Sequence, residues 1–153
     1  METSMKILHP TDFSECAAAA QTTALDLVRR LGGEIVLLHV LVETPLYGES
    51  VWNMPTVRRV YDAQRKWAEE TLEARAADLR QGGTKASWRG PVGVPFEEIV
   101  KIAEEERADM IVMGTHGRAG LNRALLGSIA ERVIRLAPCP VLTVRETTAE
   151  ATR

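Results

Sequence analysis

Short apolar runs alternate with stretches of helical periodicity along the chain, and this alternation constrains the fold more than any other feature. "MKILH" (5–9), stopped by Pro10, reads as a buried first strand. "EIVLLHVLV" (34–42) is a nearly continuous branched run, as expected of a strand covered on both faces. "KASWRGPV" (85–92) is more polar and suits a sheet edge, "DMIVMG" (109–114) is again apolar, and "PVLTVR" (140–145) closes the series. Between the first two runs, Ala17, Ala20, Ala24, Leu27, Val28 and Leu31 recur at helical spacing, with Ser14 as N-cap and Gly32-Gly33 as the stop. A long helix face runs from Val57 through Val60, Tyr61, Trp67, Ala68 and Leu72 to Leu79, ending at Gly82-Gly83. Pro95 opens a short helix carrying Phe96, Ile99, Val100 and Ala103. Ile129, Ala130, Val133, Ile134 and Ala137 mark the last helix, stopped by Pro138. Residues 43–56, "ETPLYGESVWNMPT", follow no period and read as a loop. Strands separated by helices imply right-handed crossovers and an open parallel α/β sheet with helices on both faces. Ligands bind such sheets beyond the carboxyl ends of the strands, where the strand order reverses.

With 153 residues the chain fits one domain, expected over 1–146 with a polar tail at 147–153. A formal net charge of −2 argues against non-specific nucleic-acid binding, which needs a basic surface. The N-terminus lacks the apolar core of a signal peptide, and the run at 35–42 is far short of the ~20 residues that cross a bilayer. These features predict a cytoplasmic protein without a membrane partner. Cys16 and Cys139 stand far apart, outside any CxxC or Cys/His spacing, so neither a zinc site nor a disulfide framework is indicated.

The stretch "MGTHGRAGLNRALLGS" (113–128) begins where a buried strand ends, at the ligand edge of the sheet. It holds four glycines, two arginines and no acid. It is neither GxxxxGK[ST] nor GxGxxG; the spacing is Gly114-x2-Gly117-x9-Gly127-Ser128. Glycine admits positive φ and lets amides approach an anion without an intervening Cβ. Gly127-Ser128 lies near the start of the last helix, where unsatisfied N–H groups and the helix dipole favour phosphate. The Ser128 hydroxyl adds a donor, and Arg118 and Arg123 offset phosphate charge. The same glycines also fit a tight turn leading into a closely packed helix. Asp12 fits either a ligand contact or a cap on the first helix. His9, His39 and His116 form no ligand set by spacing, although His116 lies inside the glycine stretch. "EEER" (104–107) reads as a solvated helix end.

"MGTHGRAGLNRALLGSIAERVIRLAPCPVLTVR" resembles the signature of the universal stress protein family, in its nucleotide-binding branch with the G-x2-G-x9-G-[ST] motif. "ILHPTDFSE", "IVLLHV" and "GVPFEEIVKIAEEERADMIVMG" resemble the same family, so the likeness spans almost the whole chain. It implies a Rossmann-like, adenine nucleotide alpha hydrolase-like fold with five parallel strands in the order 3-2-1-4-5 and four or five helices. It further implies ATP bound at the reversal between strands one and four. A cradle built from backbone does not separate ATP from ADP or AMP, and Mg²⁺ would arrive on the phosphates, since that ion keeps water and phosphate ligands. By that likeness Pro10, Thr11 and Asp12 line the adenosine end, and the Val40 backbone reads the adenine edge. Met113 and Gly114 run beside the ribose. Gly117, Gly127, Ser128 and the Ile129 amide hold the phosphates; Arg118 is added on charge grounds. The resemblance also implies a homodimer formed by antiparallel pairing of the last strand, 140–145.

Three function classes stay open on the sequence: a nucleotide-dependent stress-response regulator, a slow ATPase or phosphotransferase using the same pocket, and a nucleotide-free interaction module. The regulator reading leads, because the stretch supplies a cradle and charge but no general base beyond His116 and Asp12. Tyr47, Trp52 and Met54 in the 43–56 segment are candidates for a cover over the nucleotide.

Overall fold

The computed structural model describes residues 4–42, 54–116 and 125–146. The order is β1 (Met5–Pro10), α1 (Glu15–Leu31), β2 (Gly33–Leu38), α2 (Pro55–Gln81), β3 (Lys85–Arg89), α3 (Pro95–Glu105), β4 (Met110–Gly114), α4 (Ser128–Leu136) and β5 (Val141–Val144). All pairings are parallel and the strand order is β3-β2-β1-β4-β5. The expected order and the two expected edges, β3 and β5, are therefore present.

Alternation along the strands builds two cores. Leu8, Val36, Leu38, Ile111 and Met113 face α3 and α4, where Ile99, Ile102, Ala130 and Val133 close over them. Ile7, Ile35, Leu37 and Val112 face α1 and α2, against Ala20, Ala24, Val28, Leu72, Ala76 and Leu79. The small residues of α1 let that helix lie close on the sheet.

Three element bounds differ by more than a residue from the sequence reading. β2 stops at Leu38 rather than running to 42, and beyond it the Leu41 amide bonds the Pro91 carbonyl in an isolated bridge region with Val92. β3 correspondingly ends at Arg89, with Val92 only bridging. α2 starts at Pro55, inside the segment read as loop, because proline at the first helical position forfeits an N–H that has no helix acceptor anyway. Residues 43–53, which include Tyr47 and Trp52, and the 147–153 tail lie outside the described residues; Met54 is exposed as the N-cap of α2.

At β5 the ladder has a definite parity. Ile111 N–H donates to the Pro140 carbonyl (3.0 Å) and Thr115 N–H to the Val144 carbonyl (3.1 Å). In a parallel ladder alternate residues bond the same neighbour. Pro140, Leu142 and Val144 thus turn inward to β4, and Val141 and Thr143 direct their backbone groups to the open edge.

The base of the sheet, opposite the ligand edge, is tied by ion pairs. Lys6 lies 3.1 Å from Glu34 and 3.4 Å from Glu106, Lys85 reaches Glu34 (3.5 Å), and Arg89, from the carboxyl end of β3, extends to Glu106 (2.7 Å) and Glu105 (2.8 Å). The acidic run at 104–107 is thus partly paired across elements, not simply solvated. The hydrogen bond to Glu34 raises the Lys6 ammonium pKa. Burial pushes the Glu34 carboxyl upward, but its bonds and charge contacts with Lys6 and Lys85 prevail and hold it below the usual range.

His9 is fully buried on the α1/α2 side. Its Nδ1–H donates to the Val112 carbonyl at 2.8 Å, while Nε2 has no partner. Burial pushes its pKa down to about 4, with nearby Arg75 adding to the fall and the Val112 bond and Asp12 opposing it. The unfolded chain binds a proton near the ordinary value of about 6.5, which the fold refuses until about pH 4. This contribution to stability is therefore present above pH 6.5 and is lost as pH falls towards 4, at up to about 1.4 kcal/mol per unit. Urea unfolding at pH 7.5 and 5.5 should show the loss, and His9→Leu should flatten it; an equal pH slope in the variant would refute the assignment.

Candidate functional site

The cleft lies at the carboxyl ends of β1 and β4, where the strand order reverses, and encloses about 470 Å³. β1 and its exit contribute Pro10, Thr11 and Asp12; the exit of β2 contributes Leu38, His39 and Val40. β4 and its exit supply Met113, Gly114, Thr115 and His116, and α4 supplies Gly127, Ser128, Ile129 and Ala130. Pro95 and Ile99 of α3 close the apolar side. Nine of the sequence-predicted residues meet here: Pro10, Thr11, Asp12, Val40, Met113, Gly114, Gly127, Ser128 and Ile129. Gly117, Arg118 and Arg123 lie outside the described residues.

The β1–α1 turn is held by its own side chains. Thr11 N–H donates to the Leu38 carbonyl (2.8 Å), and Thr11 Oγ1 accepts from Phe13 N–H (3.0 Å). Asp12 Oδ1 accepts from Ser14 N–H (3.0 Å), and Ser14 Oγ accepts from Ala17 N–H (3.2 Å). Ser14 therefore caps α1, as expected, and Asp12 braces the turn before the cap instead of capping the helix. His39 Nδ1–H donates to the Thr11 carbonyl at 2.8 Å, which fixes its neutral tautomer.

Gly114 and Gly127 follow the close-packing alternative rather than the positive-φ one. Neither Gly114 nor Gly127 has positive φ; Gly127 sits at φ −62°. What each needs is room against the protein itself. A Cβ on Gly114 would stand 2.8 Å from Cys16 Sγ and 3.2 Å from the Cys16 carbonyl group, where α1 crosses β4. A Cβ on Gly127 would stand 2.9 Å from the Thr115 carbonyl oxygen and 3.2 Å from His116 Cα. The Gly127 amide is itself spent on Thr115 O at 2.7 Å, so it is not an anion donor. The first intrahelical bond of α4 runs from Glu131 N–H to Gly127 O (3.0 Å). Between them, the amides of Ser128, Ile129 and Ala130 have no intrahelical acceptor, and all three residues line the cleft.

Asp12 is the sole formally charged side chain among the described lining residues. Among the described residues no group of three or more His, Cys, Asp or Glu is placed to hold a metal. His116 lines the cleft with its Nδ1 buried and without a hydrogen-bond partner. Sequence reasoning left out His39 and Thr115 as well as Pro95, Ile99 and Ala130. The α3 pair was signalled by Pro95 itself, since a helix opening just past a strand's carboxyl end places its first turn at the ligand edge. No helix among the described residues is long and apolar enough to cross a membrane.

The model of the universal stress protein family matches residues 3–145. Universal stress protein MJ0531 of Methanocaldococcus jannaschii is 36% identical over 144 residues, covering 92% of this chain and 82% of the relative. Universal stress protein MJ0577 of the same organism is 38% identical over 152 residues, covering 92% of this chain and 94% of that protein. The solved MJ0577 structure superposes with a TM-score of 0.81 over 94% of this chain and 97% of that one. Two more distant structures of the same fold are a universal stress protein in complex with cAMP (21% identity over 94% of this chain and 98% of that one, TM-score 0.66) and one from Archaeoglobus fulgidus in complex with dAMP (23% over 95% and 100%, TM-score 0.63).

Proposed function

Because the chain belongs to the universal stress protein family, we propose that it is a nucleotide-dependent regulatory protein whose cleft takes an adenine nucleotide, ATP before ADP or AMP. One observation carries this reading: the Ser128, Ile129 and Ala130 amides open α4 inside the cleft at the strand-order reversal, with the Asp12 carboxylate on the β1 side. Three convergent N–H groups at a helix N-terminus suit a polyphosphate. A carboxylate suits the hydroxyls of a ribose, and the apolar wall of Leu38, Val40, Pro95, Ile99 and Met113 suits a purine face. The described lining residues offer one carboxylate, so Mg²⁺ would arrive on the phosphates and keep mostly phosphate and water ligands. Binding of ATP would supply the differential contact energy that any conformational response needs. A homodimer joined through the outward groups of Val141 and Thr143 completes the proposal.

The test is mass spectrometry of nucleotide released from freshly purified protein, with calorimetric titration of ATP. The native chain should carry or take up an adenine nucleotide. Gly127→Val should weaken ATP binding by more than about tenfold, because its Cβ meets the main chain of Thr115 and His116 and must displace the start of α4. No heat of binding at millimolar ATP would refute the function, and undiminished affinity in the variant would refute the assigned phosphate end.

A further inference from the structure

We propose that Phe13, which does not line the cleft, is a positioning residue for its nucleoside end. This rests on the nucleotide-binding reading above. Phe13 adopts φ 64°, a left-handed conformation that is a genuine outlier for a bulky side chain. Such strain persists only where the surroundings over-determine it, and it clusters at ligand clamps. Here the surroundings are explicit. The Phe13 ring lies 4.6 Å from the His39 ring, meets Trp67 edge-on at 5.2 Å, and carries the Arg75 guanidinium over its face at 4.9 Å. Two elements, the exit of β2 and two successive stretches of α2, thus grip one side chain.

What the grip fixes is the pair of residues before it. The Phe13 N–H is bound by Thr11 Oγ1, and the Thr11 carbonyl is bound by the imidazole that Phe13 stacks upon. Thr11 N–H is taken by Leu38 O. The N–H, carbonyl and hydroxyl oxygen of Thr11 are therefore all tied to protein, two of them through Phe13 or its stacking partner. The left-handed turn at Phe13 then reverses the chain so that Asp12 borders the cleft while Ser14 starts α1. Without the ring, His39 loses its stacking partner, and the Thr11–Asp12 peptide loses the contact that selects one orientation. Loss of such orientation weakens a ligand without removing any group that touches it.

The experiment titrates ATP and AMP into four proteins by calorimetry, at a temperature where each is folded by circular dichroism. Phe13→Gly adopts the same φ without strain and so keeps the fold, but it lacks the ring; it should lose about tenfold in affinity for ATP and AMP alike. An unchanged ATP-to-AMP ratio marks the defect as lying at the nucleoside end. Phe13→Tyr keeps the ring and should stay within about twofold of the native chain. Leu79→Ala, a buried-core truncation at the far end of α2, lowers stability and should leave affinity unchanged. Native affinity in Phe13→Gly, a loss confined to ATP, or an equal loss in Leu79→Ala would each overturn the proposal. Absence of binding by the native chain would overturn the nucleotide reading, and this proposal with it, before any variant is compared.

Discussion

Gly114→Val should lower the unfolding free energy by about 3 kcal/mol, the largest stability effect expected of a single substitution at the cleft. The cause is contact between elements, not backbone conformation, since Gly114 needs no positive φ. Its missing Cβ leaves room for Cys16 at the start of α1, with Sγ 2.8 Å and the carbonyl carbon and oxygen 3.2 Å from where a Cβ would stand. The thiol can turn aside, but the carbonyl belongs to the first turn of the helix and moves only with it. Denaturant titration of the single variant and of Gly114→Val with Cys16→Ala separates the two obstacles. The double variant should regain only part of the loss. An unfolding midpoint equal to that of the native chain would show that α1 yields freely, and the packing argument would fail.

Thr143→Pro should convert the proposed dimer to a monomer, measured by light scattering across a concentration series. The parity of β5 makes this position decisive. Val141 and Thr143 present their amides to the open edge, whereas the amides of Leu142 and Val144 point to β4. A proline at 143 therefore removes an outward donor and leaves the inner ladder intact. Proline at 142 instead breaks the β4–β5 ladder and should reduce stability as well as assembly. An unchanged dimer in Thr143→Pro would place the interface on another surface.

Much of this fold is legible in the sequence because its signals are local. Branched runs bounded by helical periodicity mark every strand except the polar edge strand β3, and Ser14, Pro95 and Gly82 mark helix ends that the structure keeps. The misjudged bounds lie where local signal and tertiary contact diverge. The apolar run past Leu38 reads as strand, yet β3 offers a full ladder partner only as far as Arg89. Pro55 and Thr56 read as loop, yet a proline serves well at a helix start. The cleft was legible for the same topological reason as the sheet. What the sequence hid was why its glycines are glycines: Gly114 and Gly127 answer to Cys16, Thr115 and His116, neighbours that only the fold brings close. Phe13 was equally hidden, since nothing in "PTDFSE" announces a left-handed phenylalanine.

The two ends of the sheet use different physics. Lys6, Lys85, Glu34 and Glu106 form a chain of charges at one end, and neutral amides open α4 at the other. Mobile ions screen the first; at the second they weaken the dipole contribution of α4 but leave the hydrogen bonds of its amides in place. Rising ionic strength would thus slacken the foot of the domain while sparing the amide donors at its mouth, so that thermal resilience and amide-borne recognition answer to separate properties of the surrounding solution.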